Sequence, residues 1–107
     1  MKIFGKVAVD KSPIHGKGVF AVEAISKGEL IGEYTGKKVK KDGIHVLWIW
    51  EGEELLYGID GTAPFKFLNH SSKPNAKFED QFLYAKKNIK VGEEICFHYG
   101  EEWDEVP

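Results

Sequence analysis

Glycine spacing is the feature that most limits how this sequence can fold. Twelve glycines divide 107 residues into short segments rich in β-branched and aromatic residues. Such segments favour strands, and glycine allows the positive φ that many tight turns need. No window longer than ten residues has the 3.6-residue apolar period of an amphipathic helix. The sequence therefore predicts a mostly-β domain built of several small sheets.

The strand-like segments can be located from composition and from the turns between them. One short helical turn fits around Ala63–Leu68. The apolar segment Ile44–Trp50 needs cover on both faces, from the rest of the fold or from a second copy of the chain. The predicted strands are Val7–Val9, Val19–Ile25, Leu30–Tyr34, Ile44–Trp50, Leu55–Ile59, Ala76–Glu79, Phe82–Ala85 and Glu94–Tyr99.

Length and composition predict one globular domain over residues 1–107, with 42% hydrophobic and 30% charged residues. No apolar run approaches the roughly 18 residues of a membrane-spanning helix. The N-terminal residues lack the apolar stretch of a signal peptide, so we expect a soluble protein of the cytoplasm or nucleus. Cys96 is the single cysteine, which excludes an intramolecular disulfide and a zinc site built from cysteines.

The charges are unevenly distributed. The net charge of −2 argues against direct nucleic-acid binding. A basic run lies at Lys37–Lys41, and residues 101–107 form an acidic tail containing Glu101, Glu102, Asp104 and Glu105. Either run is typical of a solvated surface, but an acidic rim beside a site would attract a lysine-rich peptide.

Two segments repeat one another. The segment Ile25–Ile31 has the pattern Ile-x-x-Gly-Glu-x-Ile, and Ile89–Ile95 has it again. Each glycine stands where a turn needs positive φ, and each turn leads to a strand that carries a tyrosine, Tyr34 or Tyr99. The repeat predicts two similar turns with tyrosines at equivalent strand ends.

A polar run follows apolar residues within Phe67–Asn75. Pro74 disfavours a helix through this segment, so Asn69 and His70 are expected in a non-helical, partly buried backbone. Their donors and acceptors suit a flat heteroaromatic ligand. Earlier in the chain, Gly16 and Gly18 permit close approach of a ligand to the backbone, although the third glycine of a dinucleotide site is missing.

The segment Phe67–Asn75 resembles the asparagine-histidine-serine signature of the SET-domain protein-lysine N-methyltransferases. The turn Ser12–Gly18 with the following Val19-Phe20-Ala21, and the segment Gly92–Gly100, resemble further signatures in the family's order. Without a cysteine-rich segment after the domain, the chain resembles short viral and bacterial members. The resemblance implies a β-clip-like SET fold with a knot-like crossing of its C-terminal segments, and a short variable insert at 37–64.

The resemblance also implies an activity, the transfer of a methyl group from S-adenosylmethionine to the ε-amine of a protein lysine. S-adenosylhomocysteine would be the second product, and no metal is implied. Tyr99 would be the catalytic tyrosine, and Tyr34 would line the lysine channel. The implied cofactor-binding residues are Gly16, Lys17, Gly18, Asn69, His70 and Trp103.

Two phenylalanines bear on the product. In the family, a tyrosine or phenylalanine beside the amine governs how many methyl groups are added, and Phe97 and Phe78 match those positions. Phenylalanine there implies di- or trimethylation of a histone or another lysine-rich protein. Two positions depart from the family's usual motif, with Lys66 in place of arginine and Ser72 in place of cysteine. A homodimer paired through the Trp48–Trp50 strand is a further expectation.

Three other functions can be considered from the sequence. The fold could serve as an inactive peptide- or partner-binding module, although both tyrosines are present. Cys96 could act as a nucleophile with His98 or His70, but a cysteine within a strand is usually a small buried apolar residue. The four histidines have no recognisable metal-ligand spacing, so no metal site is predicted.

Overall fold

The computed structural model describes residues 2–100, 103 and 105–107. Within them, short strands alternate with turns, and a 3₁₀ helix covers Phe65–Phe67. The strands are β1 (Lys2–Phe4), β2 (Val7–Lys11), β3 (Lys17–Ala21), β4 (Leu30–Glu33), β5 (Gly36–Val39), β6 (Val46–Glu51), β7 (Glu54–Gly61), β8 (Asn69–His70), β9 (Ala76–Glu79), β10 (Phe82–Ala85) and β11 (Glu94–Phe97).

The strands form three small sheets. Their orders are β1-β2-β3-β11-β8, β4-β10-β9 and β5-β7-β6. Neighbours pair in antiparallel fashion except β8 and β11, which are parallel, with Asn69 opposite Cys96 and His70 opposite Phe97. The prediction of a mostly-β fold of several small sheets is confirmed, and the segment that begins at Asn69 lies beside the strand that leads to Tyr99.

The strand predictions differ in accuracy. β9 and β10 have the predicted bounds, and the helical turn lies within Ala63–Leu68 as expected. The predicted strand Val19–Ile25 is wrong at both ends, because β3 covers Lys17–Ala21 and the chain then turns. Likewise, β11 ends at Phe97 rather than Tyr99. β1, β5 and β8 were not predicted.

The two repeated turns are equivalent in three dimensions. Ile25 and Ile89 exchange backbone hydrogen bonds of 2.9 and 2.8 Å, which joins the two segments directly. Gly28 and Gly92 have φ of 86° and 88°. The Gly28 N–H donates to Ala85 O, and the Gly92 N–H donates to Ala21 O, both at 2.8 Å. The repeat therefore forms a paired, two-fold-like element that closes the core.

Asn75 ties the crossing segment to the last strand. Its Nδ2 donates to Glu94 O at 2.8 Å, and its Oδ1 accepts from the Cys96 N–H at 2.9 Å. A buried amide side chain thus satisfies both kinds of backbone group on β11, as a neighbouring strand would. This bridge continues the pairing of β11 beyond the two residues of β8.

The hydrophobic core lies between the sheets. Its fully buried side chains include Ile25, Leu83, Ile89 and Ile95. Ile95 points into this core from β11, so Glu94 and Cys96, which flank it, point to the opposite face of the strand. The core therefore fixes the strand whose other residues reach toward the candidate site.

Candidate functional site

The loop before β3 is held in a compact turn. The Ser12 N–H donates to Gly16 O at 2.9 Å, and the Ile14 N–H donates to Ser12 Oγ at 3.0 Å. Gly16 has φ of 45°, a conformation that glycine adopts without steric cost. The turn leaves the Lys17 carbonyl and the Gly18 backbone facing β8 and β11.

Asn69 fastens this loop to β8. Its Nδ2 lies 3.2 Å from His15 O, 3.0 Å from Lys17 O and 2.8 Å from Glu94 Oε2. Three acceptors around the nitrogen identify that end of the amide as the donor. The Oδ1 atom therefore points the other way and has no hydrogen-bond donor among the described residues.

Glu94 is a site residue that the sequence analysis did not assign. Ser12 Oγ lies 2.7 Å from its Oε1 and 2.9 Å from its Oε2, while Asn69 Nδ2 contacts Oε2. The repeat carried the only available signal, since Leu30 stands at the equivalent position of the first copy. An acidic residue in the second copy, where the first copy has leucine, indicates that the two positions differ in function.

His70 has a defined tautomer. Its Nδ1 is 3.0 Å from the Tyr99 N–H, which can only donate, so Nδ1 accepts. Its Nε2 is 2.8 Å from Val106 O, which can only accept, so Nε2 carries the proton. His70 thus connects the backbone of Tyr99 to the C-terminal tail.

Tyr99 and Trp103 pack against this histidine. The Tyr99 ring lies 5.3 Å from the His70 ring and 4.8 Å from the Trp103 ring, while Trp103 is 5.2 Å from His70. The Tyr99 hydroxyl donates to Leu68 O at 2.6 Å. The predicted residues His70, Tyr99 and Trp103 therefore form one cluster. Glu101, Glu102 and Asp104 of the predicted acidic tail lie outside the described residues.

A row of aromatic rings leads from Tyr99 to Tyr34. Phe97 lies 5.0 Å from Tyr99 and 5.0 Å from Phe78, and Phe78 lies 5.6 Å from Tyr34. Phe78, Phe97 and Tyr99 line a cavity of about 350 Å³. The two predicted channel phenylalanines thus share one cavity with the predicted catalytic tyrosine.

Tyr34 is buried at the far end of this row. Its hydroxyl donates to His45 O at 2.5 Å, and the ring packs against Gly61, where a Cβ would lie 2.2 Å from the hydroxyl oxygen. Burial, followed by the negative charges of Asp60 and Tyr99, raises the pKa of Tyr34 to about 12. Tyr34 therefore stays a neutral hydroxyl near pH 7, and its ring contacts Phe78 rather than lining the cavity itself.

The ionisation of two other groups limits the chemistry of the site. Burial, with smaller effects from Cys96 and Glu94, raises the pKa of the Tyr99 hydroxyl, so it is neutral near pH 7. Burial and then the charge of Glu94 raise the pKa of Cys96 to about 11. A protonated thiol with 5% exposure is a poor nucleophile, which argues against the cysteine-based alternative.

The described residues contain neither a metal-ligand group nor a membrane-spanning helix. No three of their histidine, cysteine, aspartate and glutamate side chains are grouped as metal ligands would be. None of their helical segments has the length and apolar character needed to span a bilayer.

Comparison with known proteins gives a consistent result. A family model described as "SET domain" matches residues 16–100. The histone-lysine N-methyltransferase MEDEA of Arabidopsis thaliana is 32% identical over 114 residues, with 88% of this chain covered. A histone-lysine N-methyltransferase of Schizosaccharomyces pombe, described as H3 lysine-4 specific, is 30% identical over 120 residues, with 90% covered. The chain spans only 16% and 13% of these two relatives.

Solved structures agree with the fold. The methyltransferase domain of human SETMAR superposes with a TM-score of 0.76 at 25% identity, covering 91% of this chain and 45% of that one. ctPRC2, solved in an autoinhibited conformation bound to S-adenosylmethionine, gives a TM-score of 0.75 at 27% identity, covering 89% of this chain and 15% of that one.

Proposed function

Because this chain belongs to the SET-domain family, we propose that it transfers a methyl group from S-adenosylmethionine to the ε-amine of a lysine in a protein substrate. The observation that carries the proposal is the position of the Tyr99 hydroxyl, which donates to Leu68 O while its ring lines the cavity formed with Phe97 and Phe78. The similar histone-lysine methyltransferases support a histone or another lysine-rich protein as substrate.

The residues predicted to bind the cofactor fit a cationic, partly aromatic ligand. Asn69 Oδ1 has no donor among the described residues and can accept from an ammonium group. The rings of His70 and Trp103 offer flat surfaces. When bound, S-adenosylmethionine supplies a methyl group activated by a sulfonium. We propose Asn69, His70, Trp103 and the Gly16–Gly18 backbone as its binding residues.

Tyr99 acts in this proposal through its oxygen. The proton of the hydroxyl is committed to Leu68 O, so the oxygen lone pairs remain available to a partial positive charge in the cavity. The hydroxyl cannot act as a general base near neutral pH, since its pKa is raised. Tyr99 therefore positions the reacting group and stabilises its partial positive charge. The substrate lysine must reach the site already deprotonated.

The aromatic row supplies the apolar environment that this requires. Phe78 and Phe97, with the buried Tyr34 ring behind Phe78, present apolar surface, and contact with apolar surface favours a neutral amine over an ammonium. Alignment of the amine with the methyl donor can contribute several kcal/mol, up to about 7–11 in ideal intramolecular systems. Phenylalanine at 97 and 78 adds no hydroxyl to hold a water, so we propose di- or trimethylation.

Methyl transfer from labelled S-adenosylmethionine to histones and lysine-containing peptides tests the proposal. We expect Tyr99→Phe to lower kcat by about 100-fold, as loss of one oriented polar group does, with cofactor affinity within about twofold. Tyr57→Phe is the matched control, because Tyr57 packs under Lys38 in another sheet. We expect Asn69→Ala to abolish cofactor binding. If the wild type binds the cofactor and peptides but never transfers a methyl group, the binding-module alternative replaces this proposal.

A further inference from the structure

Glu94 joins three segments at the proposed cofactor site. Its carboxylate contacts Ser12 of the loop and Asn69 of β8, and it belongs to β11, which leads to Tyr99. We propose that Glu94 is a positioning residue, which holds the Ser12–Gly18 loop and the Asn69 amide in the arrangement that receives the cofactor. This inference rests on the proposed function.

The loop side of this contact involves Ser12. Its Oγ lies within 2.9 Å of both carboxylate oxygens, and the same Oγ accepts from the Ile14 N–H. The carboxylate therefore directs the serine proton toward β11 and leaves its lone pairs for the loop backbone. Hydrogen bonds to a charged partner are stronger than neutral ones, so this contact can restrain the loop.

The Asn69 side sets an orientation. The amide nitrogen has two hydrogens and faces three acceptors, of which only Glu94 is charged and lies closest, at 2.8 Å. This attraction keeps Nδ2 toward the protein and Oδ1 toward the proposed ligand. A rotation of the amide would present a donor to the cofactor's ammonium group in place of an acceptor.

Gly18 leaves the space that the carboxylate occupies. A Cβ at this position would lie 2.3 Å from Glu94 Oε2 and 3.0 Å from Ser12 Cβ. The absence of a side chain thus serves the Glu94 contact as well as any approach of a ligand. The backbone of Glu94 is fixed independently, because it pairs with Phe20 of β3 and its carbonyl accepts from Asn75.

The first experiment separates binding from catalysis. We expect Glu94→Gln to raise Kd and KM for S-adenosylmethionine about tenfold, since a hydrogen bond loses its charged partner, while kcat stays within about twofold. Glu93→Gln is the matched control, because Glu93 faces the neighbouring turn and accepts from the Lys90 N–H. A lower kcat with unchanged Kd and KM would overturn the inference, as would a lower Tm with unchanged cofactor affinity.

The second experiment needs neither cofactor nor turnover. Amide hydrogen exchange of residues 14–18 in the free protein should accelerate in Glu94→Gln and in Ser12→Ala, but not in Glu93→Gln. Ser12→Ala keeps the test valid if Glu94→Gln fails to fold. Unchanged exchange in the folded variants would overturn the positioning role. A wild type without methyl transfer would contradict the proposed function alone, because exchange tests the loop contact separately.

Discussion

At the scale of single residues, the two tyrosines of the repeat occupy different environments. Tyr34 is 7% exposed and donates to His45 O, whereas Tyr99 is 40% exposed and donates to Leu68 O. Both pKa values are raised, with burial as the largest cause, so both hydroxyls are neutral near pH 7. The repeat predicted equivalent positions, but the surrounding packing buries the Tyr34 ring and leaves the Tyr99 ring accessible.

Phe97→Tyr tests the proposed control of the product. The added hydroxyl would enter the cavity beside Tyr99 and Phe78, where it takes up space and can hold a water. We expect the main product to shift from di- or trimethyllysine to monomethyllysine, as measured by mass spectrometry of a peptide substrate. Phe82→Tyr on β10 is the control, since Phe82 is partly exposed. Monomethyl product alone from the wild type, unchanged in Phe97→Tyr, would contradict the proposal.

Tyr34→Phe tests the buried hydroxyl. Near pH 7 we expect the free energy of unfolding to fall by about 0.5–1.5 kcal/mol, because His45 O loses one of its two hydrogen bonds and keeps the one from the Gly61 N–H. A pKa raised from 10.0 to about 12 means that the folded chain keeps this proton longer than the unfolded chain. The stability that this raised pKa contributes is complete below pH 10 and is lost as the pH rises through 12. Urea unfolding of the wild type and of Tyr34→Phe from pH 8 to 12 measures this loss. A stability difference between the two proteins that does not change with pH would contradict it.

At the scale of elements, β11 carries both halves of the candidate site. It pairs with β3 on one side and with β8 on the other, and Asn75 extends the second edge. Every residue proposed to bind or to react is therefore on β11, on a partner of β11 or in a segment adjoining one, apart from Tyr34 and Phe78. The Phe78 ring contacts Phe97, and the Tyr34 ring contacts Phe78.

Asn75→Ala tests this junction. The change removes the amide group that donates to Glu94 O and accepts from the Cys96 N–H. Two backbone groups therefore lose their partners. We expect the free energy of unfolding to fall by about 2–6 kcal/mol, at about 1–3 kcal/mol for each unpaired buried group. Denaturant titration measures the change. Asn88→Ala is the matched control, because the Asn88 side chain accepts from the exposed Lys27 N–H on the surface. Equal effects of the two substitutions would contradict a special role for Asn75.

Periodicity and turn chemistry predicted those elements whose cause is local. β9 and β10 flank the tight turn at Asp80, so their bounds follow from neighbouring residues. β8 has two residues and exists because β11 lies beside it. This contact joins positions 69 and 96, which are far apart in the sequence. The contact of Ser12 with Glu94 spans 82 positions. Local patterns carry no information on such pairings, which is why the family resemblance located Asn69 and His70 while Glu94 was missed.

At the scale of the whole molecule, the third sheet has two unlike edges. β5 presents Lys37 and Lys38 along one edge, and lysines discourage pairing with another strand. β6 forms the other edge without such protection, and its residue Trp50 is 52% exposed. The predicted homodimer would therefore use the β6 edge, and it stays a prediction.

Trp50→Glu tests the predicted dimer. We expect the wild type to elute with the mass of two chains at micromolar concentration, and the variant to elute as a monomer, because a charge replaces the exposed apolar ring. Size-exclusion chromatography with light scattering measures both masses. Lys37→Glu on the opposite edge should leave the mass unchanged. A monomeric wild type at all concentrations would contradict the prediction.

The order of the strands in the main sheet has a consequence for biosynthesis. β11 lies between β3 and β8, yet it follows both in the chain by many residues. While a ribosome is still adding residues before position 94, the Ser12–Gly18 loop and the Asn69 segment lack the Glu94 carboxylate that contacts both, and β3 and β8 lack the strand that lies between them. Nascent chains should therefore remain unable to bind ligand until β11 has left the exit tunnel, and a protease should cut them readily until then.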